Sequence, residues 1–330
     1  MRRDAMRRRE FIAGLGAAAA WPLAARAQQP AMPVVGYLGL GSPAAQASSV
    51  AGVRKGLSET GYVEGRNVAI EFRWAESQFE RFPALAADLV SRRVAVIFTS
   101  SPSAVRAARA ASPTMPIVFI MGEDPVKEGL VASLNRPGGH VTGISDFANQ
   151  LAGKLLGLLR DTVPKAAVFA LLVNPTHPNA ESDTRDAQAA ANVLGRELRV
   201  LSAATEREFE TAFAAMARLR VGGLLVNTDP FFNERREQLA ALSARHAIPA
   251  IYARREFALA GGLMSYEADR SQTARQAGIY VGRILKGEKP ADLPVQQAAK
   301  FIFTINLKTA WALGLEIPPG VLAIADEVIE

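Results

Sequence analysis

From residue 33 onward the sequence alternates short apolar runs with amphipathic stretches, joined by brief connections. That alternation constrains the fold more than any other feature. A strand followed by a helix and then another strand must cross over, and repeated crossovers build parallel sheets covered by helices on both faces. The expected strands of the first half are 33–40, 67–74, 94–99 and 116–121, with helices at 46–60, 82–92, 104–111 and 129–134. The second half repeats the plan, with helices at 150–162, 180–195, 206–219 and 233–246 and strands at 167–173, 197–201, 222–226 and 249–252. A helix at 270–285, a late strand at 301–306 and a helix at 307–313 complete the pattern.

At 330 residues the chain exceeds the length at which one hydrophobic core ordinarily splits into two. Hydrophobic residues make up 49% of it, enough for two cores. The expectation is an α/β protein of two Rossmann-like lobes, each with a parallel sheet, joined by a hinge of three crossings. Residues 138–147, Gly-Gly-His-Val-Thr-Gly-Ile-Ser-Asp-Phe, read as the first crossing. Residues 261–266, Gly-Gly-Leu-Met-Ser-Tyr, read as the return, and 301–306 as the third. The first lobe is then 31–142 plus about 267–305, and the second is 143–266 plus about 306–330. Gly138, Gly139 and Gly143 would let the backbone bend on closure.

The first 27 residues read as an export signal. Arg7, Arg8 and Arg9 precede a short apolar run, and Ala25-Arg26-Ala27 places small residues at a cleavage site. The run is shorter than a membrane span requires. Arg8-Arg9-Glu10-Phe11-Ile12 has the order of a twin-arginine signal, and a general secretion signal is the alternative. Six arginines against two acids give this segment +4 of the chain's +6, leaving +2 for the mature protein. The basic balance therefore belongs to the leader and gives no ground for nucleic-acid binding.

Cysteine is absent, which removes disulfides, thiolate nucleophiles and a lipid anchor on cysteine. His140, His177 and His246 lack metal-ligand spacing, so neither a metal nor a cofactor is expected. Residues 36–41 carry the glycines of a dinucleotide loop in the wrong order, and no Gly-x-Ser-x-Gly elbow exists.

In open parallel sheets ligands bind beyond the carboxyl ends of the strands. The residues there are Ser42, Trp74, Ser100, Ser101, Gly122, Asp124, Asn174, Asn227 and Asp229, and the crossings add Ser145, Asp146 and Tyr266. The set suits recognition and contains no catalytic constellation. The turn Ser100-Ser101-Pro102-Ser103 opens a helix, where unpaired N–H groups and the helix dipole favour a carboxylate; a plain N-cap is compatible with this. Asp124 and Asp146 suit a ligand ammonium or, alternatively, a salt bridge or cap. Trp74 and Tyr266 suit stacking on a ligand or packing in the core. Asn174 and Asn227 suit a ligand hydrogen bond or an Asx-turn.

Several stretches together are similar to one family across nearly the whole chain: residues 124–131 (Asp-Pro-Val and Gly-Leu-Val), 141–146, Asn174-Pro175, 261–266, 305–310 and the ending 325–330. The sequence resembles the tryptophan/tyrosine-type substrate-binding proteins of ABC transporters, which have the type I periplasmic binding protein fold. The resemblance implies an exported, periplasmic protein whose two lobes close on a small carboxylated, aromatic or amino-acid-like solute. It also implies delivery to a membrane permease driven by a cytoplasmic ATPase. Binding in a closing cleft needs no oligomer, so a monomer is expected. The ligand carboxylate would lie at Ser100 and Ser101 and the amine near Asp124 and Asp146, with Tyr266 close by. Two other classes stay open on the residues alone, a periplasmic hydrolase using Asp124, Asp146 and Asp229, and a ligand-sensing domain.

Overall fold

A computed structural model describes residues 32–146 and 151–330. The proposed leader and Phe147 lie outside them. The first sheet contains β1 (Val34–Gly39), β2 (Ala69–Trp74), β3 (Val96–Thr99), β4 (Ile117–Met121) and β5 (Val141–Ser145), with the two-residue β11 (Gln296–Gln297) at its edge. Its order is β11-β5-β4-β3-β1-β2, and every pairing is parallel. The helices between these strands are α1 (Ala47–Glu59), α2 (Phe82–Ser91) and α3 (Pro102–Ala111). Parallel strands buried on both faces read as mostly apolar runs; β3 and β5 are fully buried, the hydroxyls of Thr142 and Ser145 in β5 donating to the Leu293 and Glu123 carbonyls.

The second lobe begins with α4 (Ala152–Thr162), β6 (Val168–Val173), α5 (Ala180–Val193) and β7 (Glu197–Ser202). It continues through α6 (Glu206–Arg218), β8 (Gly223–Val226), α7 (Pro230–Glu234), α8 (Arg236–Arg245), β9 (Ala250–Tyr252), α9 (Arg255–Leu259) and β10 (Met264–Ala268). The long α10 (Arg270–Leu285) then returns to the first lobe, before β12 (Phe301–Asn306), α11 (Leu307–Ala312), α12 (Pro319–Leu322) and β13 (Glu327–Ile329) close the second. The second sheet has the order β13-β12-β10-β9-β8-β6-β7 and is parallel except where β12 runs against β10.

Small residues bring α10 onto α1. A Cβ added at Gly56 would sit 1.9 Å from the Arg275 carbonyl oxygen, and one at Gly278 would sit 2.2 Å from that of Val53. This close helix pair ties the returning segment to the first lobe.

The sheets divide the chain otherwise than the boundaries expected at 142/143, 266/267 and 305/306. All of β5 pairs in the first sheet and all of β10 in the second. The strand 301–306 belongs wholly to the second sheet, because alternate residues Phe301 and Phe303 pack on Tyr266 of β10. The crossings therefore follow Ser145, Ala268 and Gln297.

The glycines change role accordingly. Gly138 and Gly139, with φ of 68° and 78°, form the turn that enters β5, where Ile117 N–H donates to the His140 carbonyl. That is the end of the sheet remote from the strand carboxyl termini. Gly143 lies within β5, where a Cβ would meet the Phe119 carbonyl oxygen at 2.2 Å. It serves close strand packing rather than bending. Residues 129–134, expected as a helix, form turns in which Leu130 and Val131 bury their side chains against the first core.

Candidate functional site

The carboxyl ends of the two sheets face each other across one cavity of about 850 Å³. From the first lobe its wall includes Ser42, Gln46, Ser100, Ser101, Ser103, Gly122 and Glu123, together with Asp146 at the crossing. From the second lobe it includes His177, Asn179, Thr228, Arg235, Arg236 and Arg254. The space lies where the topology of parallel sheets puts ligands.

Ser101 is the N-cap residue of α3 and Pro102 its first helical residue. Proline has no N–H to leave unpaired, and its fixed φ suits a helix start. The Ser101 side chain makes no capping bond, although the residue is buried. The first helical bond comes from the Val105 N–H to the Ser101 carbonyl, so the N–H groups of Ser103 and Ala104 precede the helical ladder. Serine hydroxyls and early helix N–H groups at a cavity wall have the donors and the dipole that suit an anionic group. On the neighbouring wall the Tyr37 hydroxyl donates to Gln46 Oε1 at 2.9 Å and fixes that side chain from behind.

Glu123 follows β4 and stands half-buried on the cavity wall between the lobes. Asn179 at the start of α5 donates its Nδ2 to Glu123 Oε1 across the cleft. Burial pushes the Glu123 carboxyl up to about 7, the negative field of Asp146 adds to the rise, and its own backbone and Asn179 oppose it. Two further contacts join the lobes: Ser77 Oγ donates to Glu234 at 3.1 Å, and the Phe79 ring meets the His177 ring edge-on at 5.9 Å. His177 Nδ1 accepts from the Asn179 N–H, and burial lowers the imidazole's pKa, favouring its neutral form.

Five of the twelve residues expected at the site line this cavity: Ser42, Ser100, Ser101, Gly122 and Asp146. The other seven lie elsewhere. Trp74 stacks on Phe72 at 5.7 Å and fills the space beside Gly39, so it packs within the first lobe. Tyr266 stacks on Phe301 at 5.5 Å, with Lys154 over its ring. Asp124 accepts from the N–H groups of Val126 and Lys127 and closes a turn. Ser145 is buried in β5 and donates to the Glu123 carbonyl at 3.3 Å.

The remaining three knit the second lobe together. Asn174 holds an Asx-turn through Thr176 and donates to Asp229 at 3.1 Å, while Asp229 caps α7 by accepting from the Phe232 N–H. Asn227 donates to Asp183 at 2.8 Å. Of the three aspartates weighed for hydrolysis only Asp146 lines the cavity; Asp124 closes its own turn and Asp229 caps α7.

Sequence reasoning missed Glu123, His177, Asn179 and Arg254. Glu123 stands between two residues that the strand-end rule points to, and only its hydrogen bond to the other lobe singles it out. Asn179 precedes a helix by one position, a place where the same argument used for Ser101 applies.

A family model for ABC transporter substrate binding proteins matches residues 40–329. A tyrosine-binding protein of Clostridioides difficile (strain R20291) is 26% identical over 265 residues, 80% of this chain and 76% of that protein. A conserved domain protein from Vibrio cholerae superposes with a TM-score of 0.82 at 26% identity, covering 90% of this chain and 99% of that one. An ABC domain from Streptococcus pneumonia in complex with L-Trp gives a TM-score of 0.80 at 24% identity, with the same coverage of each. The ligand-free, open structure of a substrate-binding protein with adhesive properties from Clostridium difficile gives 0.70 at 25%, again over 90% and 99%.

Proposed function

The chain belongs to the ABC transporter substrate-binding protein family, and from that premise we propose that it captures a small carboxylated, aromatic or amino-acid-like solute between its lobes for import. The observation that carries the reading is the interlobe cavity of about 850 Å³, with the Ser100–Ser103 turn on one side and the second lobe's polar loops on the other. The carboxylate sits at Ser100, Ser101 and the first turn of α3, and an ammonium sits near Glu123 and Asp146. Glu123 replaces Asp124 in this role, because Asp124 is spent on its own turn. The tyrosine-binding relative and the L-Trp complex support this ligand class.

In this mechanism the open and closed lobe arrangements interconvert, and a ligand shifts the balance by binding the closed one more tightly. Contacts such as Asn179 to Glu123 and Glu234 to Ser77 join the lobes in the closed form and part on opening. The leader exports the protein to the periplasm, where the monomer delivers solute to a membrane permease powered by a cytoplasmic ATPase.

Thermal shift with L-tyrosine, L-tryptophan and simple aromatic acids tests the reading. A ligand at 100 times its Kd stabilises the bound state by about 2.7 kcal/mol and raises Tm measurably. Absence of any shift across the panel, together with unchanged small-angle scattering, would refute it.

A further inference from the structure

Arg254 follows β9 and lines the second-lobe side of the cavity. Two other arginines of the cavity wall, one from each lobe, are paired with carboxylates. Arg106 bonds Glu128 at 2.7 Å, and Arg235 bonds Glu206 at short range. Arg254 differs. Its Nη1 lies 3.9 Å from Glu267 Oε2, too far for a hydrogen bond, and its buried Nε has no acceptor among the described residues. Glu267 Oε2 is likewise buried without a donor, while Oε1 accepts from the Arg255 N–H. The pair is neutralised in charge yet leaves hydrogen-bonding capacity unused beside the ligand space. A buried guanidinium donor without an acceptor is costly, and an anionic oxygen that draws the guanidinium toward the cavity removes that cost.

We propose that Arg254 is a specificity-determining residue that binds a second acidic group on the solute, opposite the carboxylate held at the Ser100–Ser103 turn. This rests on the carboxylate reading of that turn and extends the ligand class to solutes with acidic groups at both ends, an acidic amino acid or a dicarboxylate. The size of the cavity suits such an extended ligand, and Glu267 positions the guanidinium by charge without occupying its donors. Glu267 also prevents Arg254 from standing as a bare buried cation when no ligand is bound.

The test titrates the purified protein calorimetrically with linear dicarboxylates from succinate to suberate and with terephthalate, each against its own monoamide, and with L-tyrosine. Wild type should bind at least one dicarboxylate tenfold or more tightly than the matched monoamide. Arg254→Gln should abolish that preference while leaving monoamide affinity within about twofold, and Arg254→Lys should restore part of it. Glu267→Gln should keep or strengthen dicarboxylate binding, which a merely structural ion pair would not do. Equal binding of acid and monoamide by wild type, or equal loss of both in Arg254→Gln, overturns the inference. If L-tyrosine binds and Arg254→Gln leaves its affinity unchanged while no dicarboxylate binds, the inference fails and the carboxylate reading stands. If no carboxylate binds at all, both fail.

Discussion

Replacing Glu123 by glutamine removes an ionisation at the cleft while retaining an oxygen that accepts from Asn179. The carboxyl's usual value of 4.5 rises to about 7 in the folded protein, chiefly through burial. Between those values the native state binds a proton that the unfolded state has released, so this group's contribution to stability falls as pH rises through the window. Above pH 7 the group is charged in both states, and the shift corresponds to a cost of about 3 kcal/mol. Glu123→Gln should therefore gain about 2–3 kcal/mol relative to wild type between pH 4 and pH 8. Urea denaturation of both proteins at each pH supplies the measurement. Glu267 and Asp183, whose carboxyls also rise on burial, to about 7 and about 6, are present in both proteins and largely cancel. A stability difference between the two proteins that is the same at pH 4 and pH 8 would refute the buried-carboxylate account.

Three further substitutions separate the site from its scaffold. Ser101→Ala should lower affinity for L-tyrosine about tenfold by calorimetry and change urea stability by less than about 1 kcal/mol, because the hydroxyl makes no cap bond. Trp74→Ala should destabilise by about 3 kcal/mol in the same urea assay and leave affinity within about twofold, since the indole packs on Phe72 and Tyr37 away from the cavity. Gly56→Ala should cost about 1–3 kcal/mol, because its Cβ would collide with the rigid Arg275 carbonyl and push α10 from α1.

The fold was legible because its signal is long-range and periodic. Apolar runs such as 168–173 and 223–226 are strands wherever short connections and helices separate them. Helix starts were less so: the stretch expected as one helix at 233–246 is α7 and α8, beginning at Pro230 under the Asp229 cap. The lobe boundaries shifted because hydrophobic pattern identifies a strand without saying which sheet it joins. Residues 301–306 could be placed only by their pairing with β10.

Site residues were legible only to the level of the strand end. The rule that ligands bind beyond strand carboxyl termini selects a zone, and Ser42, Ser100, Ser101, Gly122 and Asp146 fall on its cavity wall. Within that zone, strand parity and local turns decide which side chain faces the cavity. Tyr266 faces Phe301, and Asp124 folds back on its own turn. The other lobe supplies what no local pattern carries, the hydrogen bond from Asn179 to Glu123.

The central claim is that one solute binds between the lobes through its carboxylate at the α3 turn and its amine near Glu123 and Asp146. Titration calorimetry of ligand-stripped wild type and Asp146→Ala with L-tyrosine, L-tryptophan and their amides tests it directly. The account predicts saturable one-to-one binding of at least one free acid, at least tenfold weaker binding of its amide, and a comparable loss in Asp146→Ala. Equal affinity for acid and amide, or no effect of Asp146→Ala, would contradict it.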